Sequence, residues 1–353
     1  MSEDAESRGR TGLLERLEAG PVICAEGYLF ELERRGYLQA GGFVPEVVLE
    51  HPDVVRQLHV EFVRAGSDVV EALTYYGHRE KLRVIGKEEL LEPLNRQALE
   101  LAKEVALEHD ALVAGDICNT NVFVEGDAQT AAAARAMFEE QVAWAVEAGV
   151  DFIVAETYSW GQEALIALEV AKTTGLPVVV TLAVPQGGRT FEGWSAADAC
   201  RRLEAAGADV VGLNCHRGPA TMLPLLREIR EAVSIHVAGL PVPYRTTDAE
   251  QTFFALTDPQ LGERASRPFP DALDGLACTR LEIAEFGREA YELGVGYLGV
   301  CCGAGPHHIR SLAEALGREP EASRYSTDMS KHAYLGTSPL VPQEYREDYS
   351  RRL

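Results

Sequence analysis

Residues 51–74 read HPDVVRQLHVEFVRAGSDVVEALT. Over 51–66 the apolar residues Val54, Val55, Leu58, Phe62 and Val63 fall on one face of a helix. Gly66 is the usual stop signal for such a helix. SDVVEALT (67–74) is then a short β-branched run that ends in small and polar residues. An apolar run of this length, without alternation, predicts a strand buried on both faces.

The same unit recurs along the chain. Strand-like runs stand at PVICAEG (21–27), ALVAGDI (111–117), DFIVAET (151–157), PVVVTLAV (177–184), DVVGLNC (209–215), IHVAGLP (235–241) and GYLGVCC (296–302). Between them, 90–109, 131–149 and 196–207 carry helical periodicity, and Gly149, Gly175, Gly207 and Gly294 supply further stops. Eight strand–helix units predict an α/β chain closed into a (β/α)8 TIM barrel. A doubly wound open sheet is the alternative, and no GxGxxG follows the first strand to support it. The barrel is expected over 1–317. An irregular insertion over 242–279, rich in Pro, Thr and Asp, precedes the last helix and strand, and 318–353 forms an arm over the barrel or toward a partner subunit.

The chain has 353 residues, 46% hydrophobic, with a formal net charge of −22. Such a polyanion excludes nucleic acid and anionic membrane as partners and suits a cationic small molecule. The start MSEDAESRGR is polar, and no run approaches the ~18 apolar residues of a membrane span, so a cytoplasmic protein is expected. In that reducing compartment the seven cysteines are thiols, and a cluster of them points to metal or catalysis.

In a barrel of this kind, functional residues come from the C-terminal ends of the strands. Those ends carry Glu26-Gly27, Thr74-Tyr75-Tyr76, Asp116, Cys118, Asn119, Glu156, Asn214-Cys215-His216 and Cys301-Cys302. The sixth and eighth strands are separated by one strand, which brings Cys215 within reach of the adjacent Cys301 and Cys302. Three thiolates with one open position make a catalytic zinc site, and Gly299, Gly303 and Gly305 permit the tight backbone it needs. A zinc so ligated is suited to hold a further thiol as a nucleophile more than to generate hydroxide. Cys24, Cys200 and Cys278 read as small core hydrophobes.

GLNCHRGP (212–219) and GVCCGAGPHHIRSLAEAL (299–316) resemble the two zinc motifs of the homocysteine S-methyltransferase family, and within it the betaine–homocysteine branch. The likeness extends to GLLERLEAG (12–20), LERRGYLQAG (32–41), EHPDVVRQLHVEFVRAGSDVV (50–70), EHDALVAGD (108–116) and FGREAYELGVGYLG (286–299). It implies Zn2+ held by Cys215, Cys301 and Cys302, with the sulfur of homocysteine in the fourth position. That thiolate attacks a methyl group on an onium donor and gives methionine. The resemblance implies Glu26, Gly27, Glu156 and Asn214 around homocysteine, and Phe43, Tyr75 and Tyr76 around the methyl donor through their ring faces. It also implies a homo-oligomer, a dimer or a tetramer. Alternatives are a sulfonium donor such as S-methylmethionine, methyl transfer to a corrinoid partner, and, in a different class, a zinc hydrolase on a barrel. The chain departs from the betaine branch in Glu26-Gly27-Tyr28, Phe43 and Thr157, where that branch has Asp-Gly-Gly, Trp and Tyr. The first change would shift the amino-acid pocket, and the changes at Phe43 and Thr157 put glycine betaine itself in question as the donor.

Overall fold

The computed structural model describes residues 11–349 and 351–352. Among them, eight parallel strands close into one barrel in chain order. They are β1 (Val22–Ala25), β2 (Val69–Glu71), β3 (Leu112–Cys118), β4 (Phe152–Tyr158), β5 (Val178–Leu182), β6 (Val210–Asn214), β7 (His236–Leu240) and β8 (Tyr297–Val300). Each matches one of the eight apolar runs in the sequence. All strand residues except His236 are buried, as a sheet enclosed by its own helices requires. Within residues 51–74, the helix Pro52–Ala65 is followed by β2, and Gly66 ends that helix in the left-handed conformation with φ 114°.

Side chains alternate across each strand. Val22, Cys24, Val69, Leu112, Phe152 and Tyr297 point into the barrel, while Ile23, Val70 and Ile153 pack outward among the helices. Phe152 and Tyr297 meet edge to face at 6.4 Å across the interior. Leu13 and Leu17 of the preceding helix join this inner cluster. Replacing a ring so completely enclosed with alanine costs about 3–5 kcal/mol.

The N-terminal ends of the strands share one device. Asp68 accepts from the backbone N–H of Ile23 at 2.8 Å, Asp151 from Val113 at 2.7 Å and Asp209 from Val178 at 2.8 Å. An aspartate just before β2, β4 and β6 thus receives a backbone donor from the strand before it. Arg318 then pairs with both oxygens of Asp68 at 2.6 Å, and Arg64 reaches Glu321 at 2.9 Å. These contacts tie the C-terminal segment to the end of the barrel opposite the strand tips.

The other end is covered by the 242–279 segment. It holds two short 3-10 turns, Pro259–Arg264 and Asp274–Leu276, and one bridge between Tyr244 and Ala277. Phe253 donates its backbone N–H to the carbonyl of His216 at 2.8 Å, which anchors the segment beside the tip of β6. No helix among the described residues is long and apolar enough to cross a membrane.

Candidate active site

The sequence-predicted trio does come together. The sulfurs of Cys215, Cys301 and Cys302 all lie within 4.8 Å of one another at the C-terminal mouth. β7 aligns the two loops that carry them: Cys215 donates its backbone N–H to Leu240 and Cys301 to Pro241, each at 2.9 Å. The loop after β6 is strained, because Cys215 and His216 adopt φ of 51° and 50°. A non-glycine residue holds that conformation only where its surroundings impose it. Of the three glycines near Cys301, Gly303 is the one with a left-handed φ, 96°. The Tyr244 ring lies over it so closely that an added Cβ would stand 2.3 Å from the phenol oxygen. Arg34 donates to the Gly303 carbonyl and to that phenol, both at 2.9 Å. Gly299 is instead a packing position within β8, where a Cβ would meet the Cys24 carbonyl at 1.9 Å.

The thiols do not ionise alike. Hydrogen bonds from Cys301 and Cys302 hold Cys215 well below the ordinary thiol range. Burial, above all, raises Cys301, and the Cys215 hydrogen bond raises Cys302. One proton therefore leaves easily and the next two leave against existing charge. A soft divalent ion is the partner that would let all three ionise, so the donor set suits zinc. Among the described residues, no fourth Cys, His, Asp or Glu joins this group within that span.

Below the sulfurs lies a narrow acidic slot. Asn214, at the tip of β6, donates from one amide nitrogen to Glu156, to Glu26 at 3.2 Å and to Thr157 at 2.8 Å, with Cys301 at 4.0 Å. Glu26, Glu156 and Asn214 thus form one buried cluster. Gly27 lies against the loop after β8; a Cβ there would stand 2.3 Å from the Ala304 carbonyl. Tyr28 reaches the slot with part of its ring, but its edges pack on His59 at 4.8 Å and Phe62 at 5.3 Å. Its bulk is therefore taken up largely by the helix Pro52–Ala65.

The slot also contains Glu71, which the sequence did not mark as a strand-tip residue, and Asp116, which it marked without a role. Glu71, Asp116 and Glu156 offer oxygens within 4.8 Å of one another. Burial is the main reason that Glu26 is pushed up to about 8 and the other three rise well above the carboxylate range. Both oxygens of Asp116 and Oε1 of Glu26 are buried without a partner. Cys24 donates to Glu71 at 3.7 Å, so it is part of this acidic floor as well as core. Clustered, partly unsatisfied carboxylates call for a cationic ligand. A signal for Glu71 and Asp116 existed in VVE and AGD, where a carboxylate interrupts an apolar strand as Glu156 does in IVAET.

Above the sulfurs opens an aromatic vestibule of about 360 Å³. Phe43, Tyr75 and Tyr76, singled out in the sequence, all line it. Phe43 stacks on Phe30 at 5.4 Å, and Tyr75 meets Tyr76 at 4.3 Å. Tyr76 already presents a ring face to the Lys81 ammonium, 3.9 Å from its centre. Sequence reasoning missed two walls. Phe253, Phe254 and Phe269 come from the 242–279 segment, with ring centres 4.3–5.0 Å apart. Trp160 meets Phe123 at 5.9 Å and Phe191 at 5.3 Å on the other side. Slot and vestibule share Leu29, Tyr75, Thr157 and Cys302 in their linings. Thr157 is a strained hinge point between them, with φ 64°, its hydroxyl donating to Glu156 at 2.9 Å and its carbonyl accepting from Asn119 at 3.0 Å.

Known proteins resemble this chain over most of its length. The family described as homocysteine S-methyltransferase matches residues 24–316. Betaine–homocysteine S-methyltransferase 1 of Xenopus tropicalis is 37% identical over 99% of this chain and 87% of its own length. An S-methylmethionine–homocysteine S-methyltransferase of Pongo abelii is 36% identical over 100% of this chain and 95% of its own. The metallated form of the homocysteine methyltransferase MmuM from Escherichia coli superposes with a TM-score of 0.65, at 17% identity, over 83% of this chain and 95% of that one, a likeness of fold.

Proposed function

This chain belongs to the homocysteine S-methyltransferase family, and from that premise we propose that it transfers a methyl group from a betaine-like or sulfonium donor to the thiol of homocysteine with the help of zinc. Membership carries the methyltransferase activity itself. The zinc ion, the donor and the residue roles are our reading of the site. The observation that carries it is the junction of two unlike compartments at three sulfurs.

Cys215, Cys301 and Cys302 would hold the ion, which when bound supplies Lewis acidity that keeps an incoming thiol deprotonated at neutral pH. Glu26 and Glu156 would take the ammonium group of homocysteine through charge-assisted hydrogen bonds. Asn214 holds both carboxylates in position, and Gly27 leaves the amino-acid end room beside the Ala304 backbone. Phe43, Tyr75 and Tyr76 would present ring faces to the donor's onium group.

The reaction is an in-line displacement. A sulfur–carbon bond forms, the bond from methyl to onium nitrogen or sulfur breaks, and its electron pair stays on the leaving atom. One positive and one negative charge vanish together, so a site that excludes water favours it. The chain's task is to align sulfur, methyl and leaving atom. The shared lining of slot and vestibule suits that alignment, because the thiol enters from one side and the methyl group from the other.

The C-terminal segment carries Leu340, 90% exposed, with Tyr325, Tyr345 and Tyr349 also exposed, which suits a subunit contact. The functional reading is tested with glycine betaine or S-methylmethionine carrying a deuterated methyl group, homocysteine and zinc-loaded protein. Methionine bearing the label is the expected product. Absence of labelled methionine from either donor, with zinc bound, would overturn the reading.

A further inference from the structure

The vestibule has a one-sided chemistry. Its walls are aromatic, and among the described residues no Lys or Arg lines it. Its one lining carboxylate is Glu163, buried and accepting from the Thr120 backbone at 2.8 Å and from the Thr120 hydroxyl at 2.5 Å. Of the lining amides, Asn121 donates to the Asn119 side chain at 2.8 Å and Asn119 to Thr157 at 3.0 Å, while Nδ1 of the lining His216 is buried without a partner. Lys81, over Tyr76, does not line the cavity. On the far side of the sulfurs stand Glu26 and Glu156. Every ionisable neighbour is therefore an acid, a thiol, a phenol or an imidazole, and the whole chain has a formal charge of −22.

Resting on the methyl-transfer reading above, we infer that the donor's onium centre carries only neutral substituents inside the cavity. It is a sulfonium or quaternary ammonium without an adjacent carboxylate. Ring faces attract the cation through their quadrupoles and offer nothing to an anion. A carboxylate next to the onium group, as in a short zwitterion, would be carried among ring faces with no Lys or Arg on the lining and left without a cation. The volume supports the same conclusion. At about 360 Å³ the vestibule lies within the ~300–1,000 Å³ of drug-sized ligand sites, so a small trimethylammonium acid would leave much of it unfilled. Phe191 and Phe254, at 58% and 48% exposure, stand at the rim and extend the apolar wall outward, so bulky apolar substituents have surface to meet.

The test is a matched pair, glycine betaine and its methyl ester, offered to zinc-loaded full-length protein. Two readouts are taken: methionine formed from homocysteine, and binding followed by quenching of Trp160 fluorescence, with W160F as the control. The ester should exceed the acid by at least about tenfold in binding and in kcat/KM. In F191R, which places a guanidinium at the exposed rim, that ratio should fall by about tenfold. Equal or tighter binding of the acid by the wild-type protein would overturn this inference and leave methyl transfer standing. Tighter binding of the ester with no methionine from either compound or from S-methylmethionine would overturn the methyl-transfer reading and, with it, this inference.

Discussion

The acidic slot and the aromatic vestibule share one set of strand tips yet are built by opposite means. The slot takes Glu71, Asp116, Glu156 and Asn214 from β2, β3, β4 and β6, positions fixed by the hydrogen bonds of the sheet. The vestibule takes most of its rings from loops: Phe43 after the first barrel helix, Phe123, Trp160 and Phe191 after β3, β4 and β5, and Phe253, Phe254 and Phe269 from the 242–279 segment. On the proposed assignment, the rigid part would offer hydrogen bonds to one charged amino acid, and the loop-built part area and ring faces that tolerate different cations. Recognition of the thiol substrate would then be tied to the fold, and recognition of the donor free to change with loop sequence.

That division is broken most severely at the junction. Cys215→Ala, Cys301→Ala or Cys302→Ala should each abolish zinc binding and lower turnover by at least about 10³-fold, the scale of losing one essential group. Full activity with about one zinc per chain in any of them would refute the ligand assignment. Next in size is the slot. Glu156→Gln removes a buried charge-assisted contact of about 1.5–3 kcal/mol, so KM for homocysteine should rise about 10–100-fold while the donor's KM stays within a factor of two or so. The vestibule should show the converse, with smaller effects. Tyr75→Leu gives up a cation–ring contact of about 0.5–2 kcal/mol, raising the donor's KM about 2–30-fold and leaving homocysteine affinity unchanged. Loss of both affinities in either variant would show the compartments to be energetically one.

The smallest expected effect is on stability against pH. Glu71 and Asp116 are raised well above the carboxylate range by burial, so the folded protein retains protons that the unfolded chain releases above about pH 4. Their contribution is full below the unfolded carboxylate values and is lost as pH rises, at up to about 1.4 kcal/mol per unit for each group. Denaturant midpoints of the substrate-free protein from pH 5 to 8 should therefore fall less steeply in E71Q than in the wild type. F191L, in the vestibule, should shift the curve without changing its slope.

The same contrast explains what the sequence disclosed. All eight strands were legible because each is apolar on both faces, and the sulfur trio was legible because vicinal Cys301 and Cys302 are rare among glycines. Glu156 was legible as a charge within IVAET. Glu71 and Asp116 carry the same signal in VVE and AGD, but their convergence depends on barrel register, which apolar runs do not encode. The vestibule was largely illegible. Trp160, Phe191 and Phe253 lie in loops without periodicity, and only closure of the barrel brings them to one rim. From the sequence, the bulk of Tyr28 is expected to shift the amino-acid pocket, yet its ring packs largely on His59 and Phe62. Only tertiary packing reveals that partner.

The account turns on three sulfurs that leave one place for a fourth. X-ray absorption at the zinc edge, recorded on zinc-loaded protein before and after homocysteine is added, tests it most directly. Three sulfur neighbours and one lighter atom should give way to four sulfurs. A spectrum that keeps the lighter atom at saturating homocysteine, or that counts fewer than three sulfurs at the start, would contradict it.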